Sequence, residues 1–379
     1  MIFPADDPVT DDPRPTALYA ASASAANANS WTSVNGYAVA RAYTSVLEEY
    51  EAALDGACVA DVGAVTRYTA RGRGAAALIA RATTAPVETL AIGESARGLM
   101  LDAEGYAVDK IEAAKLGPDL YLLSTSRPHA RRLQLAARGF EAEIDNITGQ
   151  IAALAILGPE ARDIAAAAGL DAESDMLARQ GRVRGVETSA RPIHFGALAG
   201  IEVIYPYDEA LTVWERLRRA RAPKPIGLDA LEIFRIEGGA PRHGLDFVSA
   251  DNAASESDKR LPDEIGLAHL APSNRAWFNG RRALSGAARS GRALAVLALD
   301  AGEAEPGAAV YGKKGQVGRL TSTAYSPRLK RVIAFADLAV EAFGKPFEVA
   351  LPEGEKRASA AFYETPEGKL AQAFRASMR

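Results

Sequence analysis

The chain has 379 residues, 48% of them hydrophobic and 24% charged, a length that calls for two or three domains. Forty-four Lys and Arg against 48 Asp and Glu leave a net charge of -4 with no basic block, which excludes a protein that wraps nucleic acid. The single cysteine, Cys58, excludes a disulfide framework and a Cys-built metal site, and the longest apolar runs, such as Ile151 to Leu157, are far too short to span a membrane.

Residues 1–15 are acidic and proline-rich, without the basic and apolar regions of a secretion signal, so they read as a solvated leader of a cytoplasmic protein. The stretch AASASAANANS at Ala20–Ser30 carries too little apolar surface to predict a helix. From Ser45, a capping-box pair with Glu48 and the spacing of Tyr43, Val46, Leu47, Tyr50 and Leu54 predict a helix that ends at Gly56. Between Cys58 and Gly149 the order is strand (ADVGAVTRYTA), helix (Arg73–Arg81), two strands around the turn Ala103–Gly105, a further strand (YLLSTS), helix (Pro128–Arg138) and strand (EAEIDNI). That order suits a ferredoxin-like α+β unit. A related order starts again at ALAILGPEARDIAAAAGL, with Pro159 near the helix start. It continues through IEVIYPY into a helix with Leu211, Trp214 and Leu217 on one stripe. From Leu261, after the polar stretch SADNAASESDKR, short strands and glycine turns predict a β-rich domain.

Generic catalytic signatures are absent. RGRG at Arg71–Gly74 lacks the third glycine of a dinucleotide loop and the Gly-Lys-Ser/Thr of a P-loop, and reads as a turn before a helix. The four histidines are dispersed, no Gly-x-Ser-x-Gly occurs, and Cys58 beside an apolar strand reads as a small buried hydrophobe.

Specific wording goes further. TALYAASASA, GYAVARAY, SVLEEYEAALDGACVADVG, AILGPEARD, IGLDALEIFRIEGGAPRHGLD and VGRLTSTAYSP occur in the order of the corresponding motifs of the aminomethyltransferase (glycine-cleavage T-protein) superfamily. The chain resembles that superfamily from Thr16 almost to its end. The resemblance implies an α+β three-domain cloverleaf, with two ferredoxin-like folate-binding units and a C-terminal β-barrel-like domain. The expected boundaries are 1–58 with 150–260 for the first domain, 59–149 for the second and 261–379 for the third.

The resemblance also implies a site built around tetrahydrofolate. Asp109, in GYAVDK, stands at the first acid of the family's G-G-x-x-D-D, and Lys110 replaces the second. A carboxylate beside N5 and N10 of the folate orients an amine or takes up a proton as the one-carbon unit moves. Arg235 matches the arginine of R-L-E, and implies either a partner for the folate's glutamate tail or a structural pair with Glu237 or another carboxylate. Three departures stand out. The pterin-anchoring Y-T-G-E-D-G-F-E reads FGALAGIEV, with Leu198 at the first acid and Glu202 at the second. The asparagine of V-V-N-A becomes Ser126, and D-V-S-H-M becomes DVGAV at Asp61–Val65. Tyr106 and Phe195 are candidate stacking partners for the pterin.

Those departures favour a demethylase-like branch that moves a methyl or methylene group from a small O-, S- or N-methyl substrate to tetrahydrofolate. The alternatives are a glycine-cleavage aminomethyltransferase served by a lipoylated carrier protein, and a folate-binding protein without catalysis. No nucleic-acid or membrane partner is expected.

Overall fold

A computed structural model describes residues 12–26, 30–170, 179–183, 185–272, 277–284, 286–352 and 356–365. Most of the leader, residues 1–11, lies outside this set. The chain divides into two compact units. The first holds Met1–Gly98, Lys110–His194 and Leu198–Leu231, and the second holds Leu99–Asp109, Phe195–Ala197 and Glu232–Arg379.

Apart from a three-stranded sheet of Arg14–Pro15, Tyr37–Ala40 and Trp31–Val34, the strands of the first unit form two βαββαβ sheets. In one, Thr66–Arg71, the helix Ala75–Ala82, Ala107–Gly117, Leu120–Thr125, the helix Ala130–Ala137 and Glu143–Asn146 follow in sequence. In space the fourth of these strands lies beside the first, then come the third and the second, all antiparallel, with Ser95–Leu101 added at the edge. This is the ferredoxin-like order predicted from sequence. The second sheet repeats it with Ile151–Leu157, the helix Ala161–Ala168, Val186–Phe195, Leu198–Pro206, the helix Ala210–Arg221 and Lys224–Pro225. Here a strand from far upstream, Cys58–Asp61, is inserted between the first and fourth strands, antiparallel to Ile151–Leu157 and parallel to Lys224–Pro225. Inward-facing Ala114 and Leu122 of one sheet pack against Ala153 and Ile204 of the other.

Several local expectations are corrected. A helix does form over Tyr19–Ala25, because Ala21 and Ser22 are small enough to pack closely, and the Ser22 hydroxyl accepts from the buried Tyr43 phenol. Arg14–Pro15, read as part of a solvated leader, pairs with Tyr37–Ala38 as a short strand. In the helix Val46–Asp55, capped by Ser45, the buried residues are Glu49, Tyr50 and Ala53, whereas Leu47 and Leu54 are exposed. Likewise the helix Ala210–Arg221 buries Ala210, Val213, Trp214 and Leu217 and leaves Leu211 outside. Pro159 stands just outside its helix, before the N-cap Glu160.

Glu49 explains why its helix turns a carboxylate inward. Its Oε1 accepts the amides of Tyr43 (2.6 Å) and Thr44 (2.7 Å), and its Oε2 accepts that of Gly227 (2.7 Å), tying segments 178 residues apart. Glu49→Gln puts an N–H where an acceptor is needed. We expect a loss of about 2 kcal/mol in urea unfolding, with the native m-value kept. Cys58 is fully buried behind it, with its thiol pushed up to about 12 by burial and by the Glu49 charge.

In the second unit six strands close an antiparallel barrel in the order Arg292–Leu299, Arg331–Ala339, Gly315–Ser326, Ala309–Gly312, Phe347–Ala350 and Arg357–Phe362. The polar stretch at 249–259 holds only single 3-10 turns, and the barrel strands begin at Arg292. Among the described residues no helix is long and apolar enough to cross a membrane.

Candidate functional site

Asp109 lies near the start of the strand Ala107–Gly117 and is fully buried. The turn before it is fixed by chemistry at four points. Gly105 takes φ +90, a conformation that favours glycine, and a Cβ there would press on Leu284 at 3.2 Å. The Tyr106 amide donates to Asp102 Oδ1 at 2.8 Å. Asn279 Nδ2 donates to the Leu101 carbonyl and the Ala107 amide to the Arg260 carbonyl, each at 2.8 Å. Tyr106 is buried, its hydroxyl donating to the Ala288 carbonyl at 2.7 Å and its ring carrying the Lys259 ammonium 5.6 Å from the centroid.

Arg235 is buried on the helix Leu228–Gly238, and all of its nitrogens find partners. Nε donates to Glu232 (2.9 Å), Nη1 to Asp246 (2.6 Å) and the Ala240 carbonyl (2.8 Å), and Nη2 to Ser322 (2.8 Å), with Glu232 again 2.8 Å away. Burial works against its charge, but Asp246 and Glu232 outweigh it, and its pKa is raised. Thr321 and Ser322 donate in turn to Asp246 Oδ1, each at 2.7 Å. The motifs IGLDALEIFRIEGGAPRHGLD and VGRLTSTAYSP therefore meet in one network, which holds the helix to the barrel strand Gly315–Ser326. Glu237, the partner named from sequence, instead accepts from Ser326 (2.6 Å) and pairs with Arg328. Phe195 is half-buried beside this helix. Gly196 is obligatory there, since a Cβ would lie 2.1 Å from the Phe234 carbonyl oxygen.

Glu202 is buried in the first unit between two arginines. Arg67 Nη2 donates to Oε1 (2.7 Å) and Arg191 Nε to Oε2 (2.5 Å). Arg191 Nη1 also lies 2.9 Å from Glu112, off the hydrogen-bond axis, so that contact is charge compensation only. Burial alone would raise the Glu202 pKa, but Arg191 and Arg67 outweigh it and the carboxyl is held below its ordinary value. The Arg67 Nε and the Tyr205 hydroxyl, both buried nearby, have no hydrogen-bond partner among the described residues. Leu198 is buried on the same strand. The register from Gly200 to Pro206 is unbroken, and the even spacing sets residues 198 and 202 on one face. Ser126 is half-buried directly after the strand Leu120–Thr125.

Sequence reasoning missed Arg67, Arg191, Glu112 and Asp246. The usable signal was a charge inside an apolar strand, as in TRYTA. Such a residue is tolerated only when paired, although the partner 135 residues away is invisible. Asp61 has a local account. Its carboxylate accepts the Thr16 hydroxyl and the Gly63 amide, and burial raises its pKa against both. A Cβ at Gly63 would lie 3.0 Å from Asp61 Oδ1.

The GCVT N-terminal domain model matches residues 16–257, and the model of the glycine cleavage T-protein C-terminal barrel domain matches residues 292–366. The chain belongs to the glycine cleavage T-protein family. It is 29% identical over 326 residues to an aminomethyltransferase of Thermus thermophilus, covering 83% of this chain and 88% of that one. It is 28% identical over 323 residues to a probable aminomethyltransferase of Haloarcula marismortui, covering 81% and 86%. The glycine cleavage system aminomethyltransferase T of Bartonella henselae shares the fold at a TM-score of 0.82 and 20% identity, over 93% of this chain and 98% of that one. The three-domain fold expected of the family is thus the fold of this chain. Its members are one-carbon transferases that bind tetrahydrofolate.

The residues present fit that ligand at one end. Asp109 is a carboxylate wholly out of water, as an acceptor for ring amines requires. Of the residues expected from the motif at the pterin edge, Leu198 offers no acceptor and Glu202 already serves two guanidinium groups. Arg235, expected from the motif to meet the tail, has no donor to spare.

Proposed function

We propose that this chain transfers a one-carbon unit to tetrahydrofolate, taking it as an aminomethyl group from a lipoylated carrier protein. The relatives named aminomethyltransferase over most of their length support this donor, and the buried Asp109 is the observation that carries the transfer chemistry. Bound tetrahydrofolate supplies two amine nitrogens that accept the unit. Asp109 orients one of these amines and takes up a proton as the carbon arrives. Ser126, with one donor and two acceptor positions, is the polar contact in place of the family's asparagine. In balance, the carrier's S–CH2–NH2 and two folate N–H groups become a thiol, ammonia and a methylene bridge between the nitrogens. Arg235 acts through others, as a positioning residue that fixes the helix beside Phe195.

A second reading, a small O-, S- or N-methyl donor, is favoured by Leu198 at an acid position of the family motif. Supplying each donor in turn to the enzyme with tetrahydrofolate decides. Ammonia release with the aminomethyl carrier supports the first reading, and turnover of methyl donors alone replaces it with the second. Tetrahydrofolate binding without turnover of either supports a folate-binding protein.

The pterin edge gives a further test. A buried ring N–H without an acceptor costs about 1–3 kcal/mol, so Leu198→Glu is expected to tighten tetrahydrofolate binding about tenfold by calorimetry. Unchanged or weaker binding would mean that the ring does not sit against residue 198.

A further inference from the structure

The Glu202 network leaves buried donors over. Arg67 Nε, Arg191 Nη1, the Ser124 hydroxyl and the Tyr205 hydroxyl are out of water, with no hydrogen-bond partner among the described residues. Arg191 Nη1 still has the Glu112 carboxylate at 2.9 Å to compensate its charge, which leaves three atoms to account for. Arg67 and Tyr205 are each 2% exposed, so open solvent does not reach them. A buried polar group left unpaired works directly against folding, and here there are three in one network.

Register and charge place the three together. Arg67 pairs with Ser124 across antiparallel strands, and Ser124 pairs in turn with Glu112, so these side chains project from one face of the sheet. That face is turned toward Glu202, since Arg67 Nη2 reaches its Oε1. The Tyr205 phenol lies within electrostatic reach of the same guanidinium, which works to lower its pKa against burial.

Hydrogen-bond count and charge decide what fits between them. Arg67 Nε is a donor only, whereas each hydroxyl both donates and accepts. A bridging group must therefore accept at least once. Arg67 and Arg191 are matched by Glu202 and Glu112, so the cluster has no net positive charge left to hold an anion. A small neutral molecule with two acceptor and two donor positions meets these terms, and water has them.

We infer that one water molecule is bound inside the first unit, accepting from Arg67 Nε and bridging to Ser124 Oγ and Tyr205 Oη. It is a structural ligand. It ties the strand that ends at Thr125, immediately before Ser126, to the sheet that carries Leu198 and Glu202. The inference stands apart from the folate reading and does not depend on it.

A high-resolution crystal structure of the full chain, grown in bromide, is the first test. Density for one water at about 2.5–3.2 Å from Arg67 Nε and from both hydroxyls is expected. No density there, a peak that misses either hydroxyl, or an anomalous bromide peak in its place would overturn the inference. Urea unfolding gives a second readout, whose sign separates the cases. With the water bound, Tyr205→Phe and Ser124→Ala each remove a hydrogen bond, and both midpoints should fall. The double variant should lose clearly less than the sum of the two, because both hydroxyls hold the same molecule. Hydroxyls without a partner would instead give midpoints that hold or rise, since an unsatisfied buried group has been removed. That result, or strictly additive losses, would also overturn the shared site.

Discussion

Asp109→Asn is expected to slow one-carbon transfer by about 10²–10⁴-fold, the range for losing a positioned acid or base. The substitution keeps the volume and a carbonyl acceptor in a fully buried position, so packing should survive. On the proposed role, it removes the group that orients the folate amine and takes up its proton. The loss should therefore appear in kcat, with the tetrahydrofolate Kd within about threefold of wild type, since an interaction made chiefly in the transition state is being removed. A variant with native kcat would take Asp109 out of the chemistry. A variant with native kcat and a weakened Kd would make it a binding residue only.

The second large effect concerns stability. Glu202 is 3% exposed, with Arg67 at 2% and Arg191 at 4%, so its removal takes from two buried cations the carboxylate they share, leaving Glu112 against Arg191 and the Asp61 charge acting on Arg67. We expect Glu202→Ala to cost about 3–5 kcal/mol in urea unfolding, as for other broken buried pairs. Glu202→Gln should cost less, because one oxygen still accepts. The pH dependence follows in sign. The folded carboxyl lies below its ordinary 4.5, so this stabilisation is fully present above that value and is lost as the pH falls through the lower folded pKa. The wild type should therefore lose stability below pH 4.5 more steeply than Glu202→Gln. Parallel curves for the two proteins would show that the network contributes nothing through this charge.

How much of this was legible in the sequence depended on whether the cause was local. The turn Ala103–Gly105, the β-rich character of the C-terminal part and the βαββαβ order all follow from short-range patterning, and the structure carries them. Stripe assignments failed where leucine was taken as proof of an inward face. Leu47, Leu54 and Leu211 lie outside because Glu49, Ala53, Ala210 and Val213 face inward instead. Small residues allow close helix packing and leave no hydrophobic signal. The insertion of Cys58–Asp61 into a sheet whose other strands follow ninety residues later depends on long-range pairing that no window contains.

The candidate site divides in the same way. Asp109, Arg235 and Glu202 were picked out by motif, yet motif said nothing of what each touches. The Arg235 network draws Asp246 from its own motif and Ser322 from another, 87 residues along the chain. Glu202 meets Arg67 and Arg191 across two sheets. A charge is visible in a sequence, and its counter-ion becomes visible only with the fold.

The most direct test of one-carbon transfer is a stoichiometric one. Purified protein, limiting tetrahydrofolate and excess aminomethyl-loaded lipoylated carrier are mixed, and ammonia and tetrahydrofolate are measured together. One ammonia released for each tetrahydrofolate consumed, with both lost in Asp109→Asn, is the result predicted here. Tetrahydrofolate left intact by the wild-type protein in the presence of this carrier, and equally in the presence of methylated small molecules, would contradict it.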